Sequence, residues 1–444
     1  MAGAVGYHQP AMPSAPSRPP ARARSPLRVG VLGAGTVGRA VIDGLLGRGE
    51  RLAAGTSGSV GIELAAVAVR DLRRATASGL PSELLTDAPA HLVADPDIHV
   101  IVELMGGDEP ARTLIAAALG AGKAVVTANK HVIAHHGAEL EAIARRSSAS
   151  LRFEAAVGGG IPVLGPLASD LAANDVRWVR GIVNGTTNHI LTAMSEDGRP
   201  YGDVLSDAQA RGYAEADPSG DVEGDDAVNK LVILARLAFG TWLDPTTVGR
   251  RPPAARGDAP LGITGVTGPE LRGAAALGLA IKLLAVAERD EAVVAAAVVP
   301  TAVPARSPLG ETAGVMNLVE ITGDPVGTVR LGGPGAGGAA TSSAVLGDIL
   351  AVARGVGSTW AGLAPAIGPA CPAADPLDGA REWYAFVSGP ARASMPYNLE
   401  TVATAMTPDG TAVRTASMTR AEAQAAFDAV LPAGSDMTLY PIDD

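Results

Sequence analysis

Gly33-Ala34-Gly35-Thr36-Val37-Gly38 stands between a short apolar run, Arg28–Leu32, and a stretch of helical spacing, Val37–Leu46. A strand that turns through G-x-G-x-x-G into a helix leaves few folds open. The first glycine makes the tight turn, the second lets backbone approach a pyrophosphate, and the third lets the helix lie close to the sheet. The helix N-terminus then offers unpaired N–H groups and a partial positive charge to phosphate. Gly33, Gly35, Thr36, Val37 and Gly38 are therefore candidate dinucleotide-binding residues. The next segments continue the pattern. IELAAVAVRD reads as a second strand ending near Arg70, HVIVELMGG as a third over 99–107, ARTLIAAALGAG as a helix closed by glycine, and KAVVTANK as a further strand. Strands alternating with helices predict an α/β fold built on a doubly wound, Rossmann-type parallel sheet.

The second strand ends in Val69-Arg70-Asp71. An acid there holds the ribose hydroxyls of NAD, whereas an arginine accepts the 2′-phosphate of NADP. Arg70 points to NADP, and Asp71 leaves NAD open.

With 444 residues the chain has room for two or three domains. Residues 1–26 are rich in Pro, Ala, Ser and Arg without an acid or a continuous apolar core, and read as a disordered tail rather than a secretory signal. Residues 27–155 are expected to form the NAD(P)-binding domain, completed by a returning segment at about 325–350. Residues 156–324 change pattern and read as a mixed α+β domain. Residues 351–380 are expected to be a linker, and 381–444 a small C-terminal α/β unit. The net charge of −11 argues against a nucleic-acid partner. The longest apolar stretches, such as AVVAAAVVPTAVPA, are too short for a membrane span, and this one is broken by prolines. A single cysteine, Cys371, rules out a disulfide framework within one chain and suits a reducing, cytoplasmic setting.

Candidate chemistry gathers in RGYAEADPSGDVEGDDAVNK, residues 211–230, just before LVILARLAF. Asp226 and Lys230 are four apart and share a face if 225–239 is helical. Leu231, Ile233, Leu234 and Leu237 predict that this helix is largely buried. A lysine beside a buried face is desolvated, which lowers its pKa towards useful acid–base values, while a neighbouring carboxylate opposes the fall. Glu215 precedes Asp217-Pro218 and is expected on a loop. The alternative is a solvated helix start whose acids complement the helix dipole. Asn129-Lys130 is expected at the carboxyl end of a strand, where ligands bind in such sheets. In Phe153-Glu154-Ala155-Ala156-Val157-Gly158-Gly159-Gly160-Ile161-Pro162 the glycines free carbonyls that suit a hard cation, with a domain hinge as the plainer reading. His135 and His136 lack metal-ligand spacing and read as surface histidines.

Taken in order, GAGTVG, the strand-end ANK, FEAAVGGGIP, GIVNGTTNHILTAM, GYAEADP and the D-x-x-x-K of DDAVNKLVILA resemble homoserine dehydrogenase from about residue 27 to 350. The resemblance implies an NAD(P)-dependent oxidoreductase that interconverts L-homoserine and L-aspartate 4-semialdehyde on the route to threonine, methionine and isoleucine. It implies Lys230 as proton donor or acceptor at the substrate oxygen. Lys130 is a second candidate there, and also a substrate and cofactor contact. Glu215 and Asp226 become substrate binders, with Glu215 suited to the amino group. The carbonyls of Val157, Gly159 and Ile161, with Glu154, become a site for a monovalent cation, sodium in the family. Gly335 falls in the segment that returns to the cofactor, and the central domain becomes a dimerisation domain. Some relatives carry a C-terminal ACT domain with an Asp-x-Pro-Gly-type turn. Residues 381–444 lack that motif, so the tail is expected to be at most a degenerate ACT-like unit. Aspartate-semialdehyde dehydrogenase needs a thiol nucleophile, and the only thiol lies in the Pro-rich stretch at Cys371. The alternative from another class is a nucleotide-binding regulator that has lost catalysis.

Overall fold

The computed structural model describes residues 24–56, 60–250, 260–291, 293–360, 362–366, 368, 370–389, 400–429, 431 and 436–443. Residues 1–23, most of the expected tail, lie outside this set. The first strand already begins at Arg24, three residues inside that tail.

β1 (Arg24–Leu32), β2 (Val60–Ala68), β3 (Leu85–Thr86), β4 (Val100–Glu103), β5 (Ala124–Thr127) and β6 (Leu151–Arg152) form a parallel sheet in the order β3-β2-β1-β4-β5-β6. The order reverses between β1 and β4, and the crevice outside the carboxyl ends of those strands is where doubly wound sheets bind ligands. β4 is fully buried, as expected of a strand covered on both faces. Two strands are shorter than their apolar runs suggest. β2 stops at Ala68 because Asp71 caps the next helix, Leu72–Ala77, by accepting from the Arg74 N–H. β4 stops at Glu103, whose carboxylate accepts the N–H groups of Met105 and Gly106 and turns the chain out of the sheet.

β7 (Asp175–Ile182), β8 (Leu279–Asp290), β9 (Val293–Pro304), β10 (Met316–Asp324) and β11 (Gly327–Pro334) form an antiparallel sheet in the order β11-β10-β7-β8-β9. The proline-bearing apolar stretch is thus a strand. Its prolines are tolerated because β9 lies at the margin of the sheet. β12 (Trp383–Ser388), β13 (Thr401–Thr407), β14 (Gly410–Thr415) and β15 (Met437–Pro441) form a third, antiparallel sheet in the order β13-β14-β12-β15. The stretch expected to be a linker is packed down: Trp360 is buried, and Cys371 exchanges backbone hydrogen bonds with Trp242 and Asp244.

The helix Asp225–Phe239 runs through the middle of the core. Every residue from Ala227 to Leu237 is buried, including Asn229, Lys230 and Arg236. A helix covered on all sides is held by tertiary packing rather than by an amphipathic stripe. It lies against the helix Lys130–Ser147 on one side and against β7, β8 and β9 on the other. The helix Gly338–Ala353 brings the chain back and packs Val345, Leu346 and Ile349 into the core under the parallel sheet.

Candidate active site

The glycine loop behaves as its spacing predicts. Gly33 has φ +98°, and a Cβ there would fall 2.6 Å from the Leu104 carbonyl oxygen. A Cβ at Gly38 would fall 2.2 Å from the Gly33 oxygen, so the helix can approach the turn only without a side chain. At Gly35, by contrast, nothing lies within 4 Å. That is the open face a pyrophosphate needs. Thr36 opens the helix Thr36–Gly47, Gly35 caps it without a side chain, and the first N–H groups are left to a ligand. Gly338 approaches Thr36 from the returning segment, so both ends of the chain's parallel unit meet at this loop. Arg70 is exposed at the end of β2, beside Asp71, whose carboxylate is engaged in its helix cap.

Lys130 is the first residue of its helix rather than the last of a strand. Asn129 is the N-cap, accepting from the Val132 N–H at 3.2 Å. That start is fixed from beneath by a short relay. Thr127 donates to Glu103 at 2.6 Å and accepts from the Asn129 N–H at 2.9 Å. Burial pushes the Glu103 carboxyl up, opposed by these hydrogen bonds.

The structure brings Lys130 and Lys230 onto one carboxylate. Asp226 Oδ1 lies 2.9 Å from Lys130 Nζ, and Asp226 Oδ2 lies 2.7 Å from Lys230 Nζ. Lys230 also donates to the Val183 carbonyl at 2.7 Å. Asn184, missed in the sequence, completes the arrangement: its Nδ2 donates to Asp226 at 2.8 Å and to Asp221 at 2.7 Å, while its Oδ1 caps the next helix through Thr187. Asp221 was missed as well. It sits on the one-turn helix Ser219–Val222, which the Asp-Pro sequence before it obscures. Asp225, adjacent to Asp226 in sequence, is turned away and pairs with Arg250. Glu215 lies on an exposed loop, as predicted, near enough for its charge to strengthen the Lys130 ammonium.

The electrostatics separate the two lysines. Burial lowers the Lys230 pKa, and the Asp226 charge only partly restores it. Asp226 raises the pKa of Lys130, whose side chain is 42% exposed. Burial alone would push Asp226 up, but the two ammonium groups overcome it and hold the carboxylate well below its usual range. Asp221 is pushed up by burial and by Asp226. One site therefore holds an anchored anion, a firmly charged lysine and a lysine nearer neutrality. That is the division of labour general acid–base chemistry requires.

The Glu154 segment is ordered around its own backbone. Its carboxylate accepts the N–H groups of Val163, Leu164 and Gly165 at 2.7–2.9 Å. Gly158 and Gly159 both have positive φ, and a Cβ at Gly159 would fall 2.6 Å from the Gly335 carbonyl oxygen. Among the described residues the Val157, Gly159 and Ile161 carbonyls accept no hydrogen bond. They are free for a cation, whereas the Glu154 carboxylate is largely committed. His136 pairs with Asp108, and no group of His, Cys, Asp and Glu among the described residues has metal-binding geometry.

Two family models match the chain: the homoserine dehydrogenase NAD-binding domain over residues 33–154, and homoserine dehydrogenase over 162–350. A homoserine dehydrogenase of Mycobacterium bovis is 45% identical over 334 residues, 74% of this chain and 73% of that one. One from Synechocystis is 42% identical over 331 residues, 73% of this chain and 72% of that one. This chain belongs to the homoserine dehydrogenases. The solved homoserine dehydrogenase of Thiobacillus denitrificans superposes with a TM-score of 0.83 at 34% identity, covering 94% of this chain and 98% of that one. A hyperthermophilic archaeal homoserine dehydrogenase in complex with NADPH has a TM-score of 0.60 at 26% identity, covering 74% of this chain and 97% of that one. As a homoserine dehydrogenase, the chain is an oxidoreductase with an NAD(P)-binding domain that interconverts homoserine and aspartate semialdehyde. No described helix is long and apolar enough to cross a membrane.

Proposed function

We propose that Lys230 is the group that takes the homoserine hydroxyl proton, and that Asp226 holds it and Lys130 in place. The observation that carries this is the shared carboxylate, with one buried and one exposed lysine on its two oxygens. A nicotinamide cofactor held by the Gly33–Gly38 loop would supply the hydride acceptor for the carbon bearing the hydroxyl. Lys230, with its lowered pKa, receives the hydroxyl proton as the carbonyl forms, and in the reverse direction returns it. Lys130 keeps its charge and stabilises negative charge on the substrate oxygen or binds the substrate. Glu215 at the rim faces the substrate ammonium, and Asp221 adds a second anion that Asn184 aligns. Preorganisation of this kind can lower a barrier by several kcal/mol.

The same reading extends to the surroundings. Exposed Arg70 next to a committed Asp71 favours NADP over NAD. The free carbonyls of Val157, Gly159 and Ile161 suit a monovalent cation such as sodium, which would brace the segment that touches Gly335. The parallel-sheet unit serves the cofactor, the antiparallel sheet the substrate and dimerisation, and the third sheet an ACT-like role. Its strand order, with the first strand between the third and the fourth and the second outside the third, is that of a ferredoxin-like unit. A cytoplasmic location and a place in threonine, methionine and isoleucine synthesis complete the proposal.

The test is absorbance of reduced cofactor with L-homoserine and either NADP⁺ or NAD⁺ at alkaline pH. Faster reduction of NADP⁺ supports the role of Arg70, and equal rates remove it. Lys230→Ala is expected to keep cofactor binding and lose turnover by orders of magnitude; turnover like the parent's would end the lysine assignment.

A further inference from the structure

Glu103 ends β4 wholly buried, and no cation pairs with its carboxylate among the described residues. A buried carboxylate without a counter-ion is costly and persists only where donors satisfy it. Here the donors come from two strand ends. Oε1 accepts the N–H groups of Met105 and Gly106 at 2.8 and 3.2 Å, and Oε2 accepts the Thr127 hydroxyl at 2.6 Å. Glu103 and Thr127 are partners across β4 and β5, so the bond joins the last residues of two neighbouring strands.

The two ends serve different halves of the site. On one side is the loop 104–107. The Leu104 N–H donates to the Leu32 carbonyl at 2.8 Å, and a Cβ at Gly33 would fall 2.6 Å from the Leu104 oxygen, so this loop lies on the first glycine of the dinucleotide turn. On the other side, Thr127 accepts the Asn129 N–H, Asn129 caps the next helix, and Lys130 opens that helix with its ammonium 2.9 Å from Asp226. Asn129 Nδ2 then donates to the Gly107 carbonyl at 2.8 Å. That bond closes a ring that runs from Glu103 through Gly107, Asn129 and Thr127 back to Glu103. Side-chain packing does not hold the tip of the loop: Gly106 and Gly107 have φ +70° and +73°, and a Cβ on either would meet nothing within 4 Å. The ring holds it, and a buried, satisfied network of this kind rigidifies what it joins.

The ring needs a carboxylate. An ionised carboxyl group accepts at both oxygens, whereas a carboxamide accepts at one end and donates at the other. A glutamine here keeps the bonds from Met105 and Gly106 but turns a donor on the Thr127 hydroxyl, which opens the ring at that bond. We propose that Glu103, acting through Thr127 and Asn129, is a positioning residue that sets Lys130 against the loop beneath the dinucleotide turn. One buried side chain then fixes the cofactor side and the substrate-side lysine relative to each other, with no ligand contact of its own. The inference rests on the role of Lys130 given above.

The experiment opens the ring from both sides in the full chain. Glu103→Gln changes the acceptor, and Thr127→Val removes the hydroxyl at nearly constant size. Thr127→Ser keeps the hydroxyl. These variants are compared with the parent and with Lys130→Ala, well below the melting temperature of each. The readings are the single-turnover rate of cofactor reduction at saturating L-homoserine, the dissociation constant of NADP⁺ by calorimetry, and the melting temperature. The single-turnover rate is expected to fall about tenfold to a hundredfold in Glu103→Gln and in Thr127→Val, the cost of a small misplacement of a reacting group. Thr127→Ser is expected to recover most of that loss. Dissociation constants should stay close to the parent's, since the 33–38 turn is unaltered. The double variant should be no slower than the slower single one, because both cut the same bond. Thr127→Val carries the comparison alone if the buried carboxamide is not accommodated. Parent-like single-turnover rates in the ring-opening variants, with Lys130→Ala slow, overturn the proposal and leave Glu103 a structural residue, whatever the melting temperature has done. A Lys130→Ala chain as fast as the parent removes the role of that lysine, and this inference with it.

Discussion

Asp226 is a single carboxylate read in opposite ways by its two neighbours, and pH separates them. Lys230 has a lowered pKa because burial outweighs Asp226, so the proton-accepting form grows in as pH rises through that lowered value. Homoserine oxidation is expected to fall on the acid side of that value. Asp226→Asn removes the charge that supports the ammonium, so the acid limb of kcat/KM should move to lower pH while the rate itself falls; an unmoved limb would assign it to another group. A second buried lysine tests the same physics away from the site. Burial pushes Lys282 down to about 8, against a weaker pull from Glu196, while its ammonium donates to Asn188 and to the Thr312 carbonyl. Between pH 8 and 10.5 the unfolded chain binds more protons at this lysine than the folded one, so stability rises with pH across that window. The integrated effect is at most about 3 kcal/mol. Lys282→Met should flatten the rise in denaturant midpoints measured from pH 8 to 10.5. At this scale the sequence was legible where partners are close in number. Asp226 and Lys230, four apart, could be paired by helical spacing, and the glycines by their motif. Lys130 could be suspected only from its strand, and its bond to Asp226 closes a gap of ninety-six positions that no local pattern spans. Asn184 and Asp221 gave no signal, because their roles depend on segments that meet only in the folded chain.

The two lysines ride on different helices, and those helices are bolted together one turn at a time. Glu141, on the Lys130 helix, accepts two hydrogen bonds from Arg236 on the Lys230 helix, at 2.7 and 3.0 Å. Trp242 Nε1 and Arg145 donate to the same carboxylate. Arg236 is 0% and Glu141 2% exposed, so the pair is fully inside. The segment just after the Lys230 helix also meets the Lys130 helix, at Gly137, where a Cβ would fall 2.4 Å from the Trp242 ring. Removing one member of a buried pair leaves a bare charge and costs about 3–5 kcal/mol, whereas replacing both with apolar groups costs far less. Glu141→Ala is therefore expected to lower stability by about that amount, and Glu141→Ala with Arg236→Met to recover much of it, as read from urea midpoints. Additive losses in the double variant would remove the pairing argument. The element pattern was well legible: LVILARLAF ends the helix at Phe239, and alternation of strands and helices yielded the parallel sheet. What misled was the edge of each element. Asn129 is a helix cap, Glu103 ends β4 early, and the proline-rich linker is packed, because capping and tertiary cover decide such boundaries and apolar runs do not.

For the molecule as a whole, the returning helix Gly338–Ala353 clasps the first helix, Thr36–Gly47. A Cβ at Gly44 would fall 2.7 Å from Leu346 Cδ1, and Ile349 is wholly buried beneath the parallel sheet. Ile349→Ala is expected to cost about 2–5 kcal/mol and to weaken cofactor binding, with saturating NADP⁺ recovering part of the melting temperature by mass action. Calorimetry with and without cofactor checks both, and an unchanged melting temperature would show the clasp to be slack. The third sheet is tied in by Tyr384, which donates to the Glu270 carbonyl, and by the Arg272–Asp409 pair. The clasp also has a consequence for synthesis. The ribosome releases the first helix roughly 300 residues before its cover, a delay of about 15–60 s at ordinary translation rates. Through that interval the apolar face around Val41, Ile42 and Leu45 has no native neighbour from the returning helix, so the nascent chain carries an apolar surface that waits for its cover.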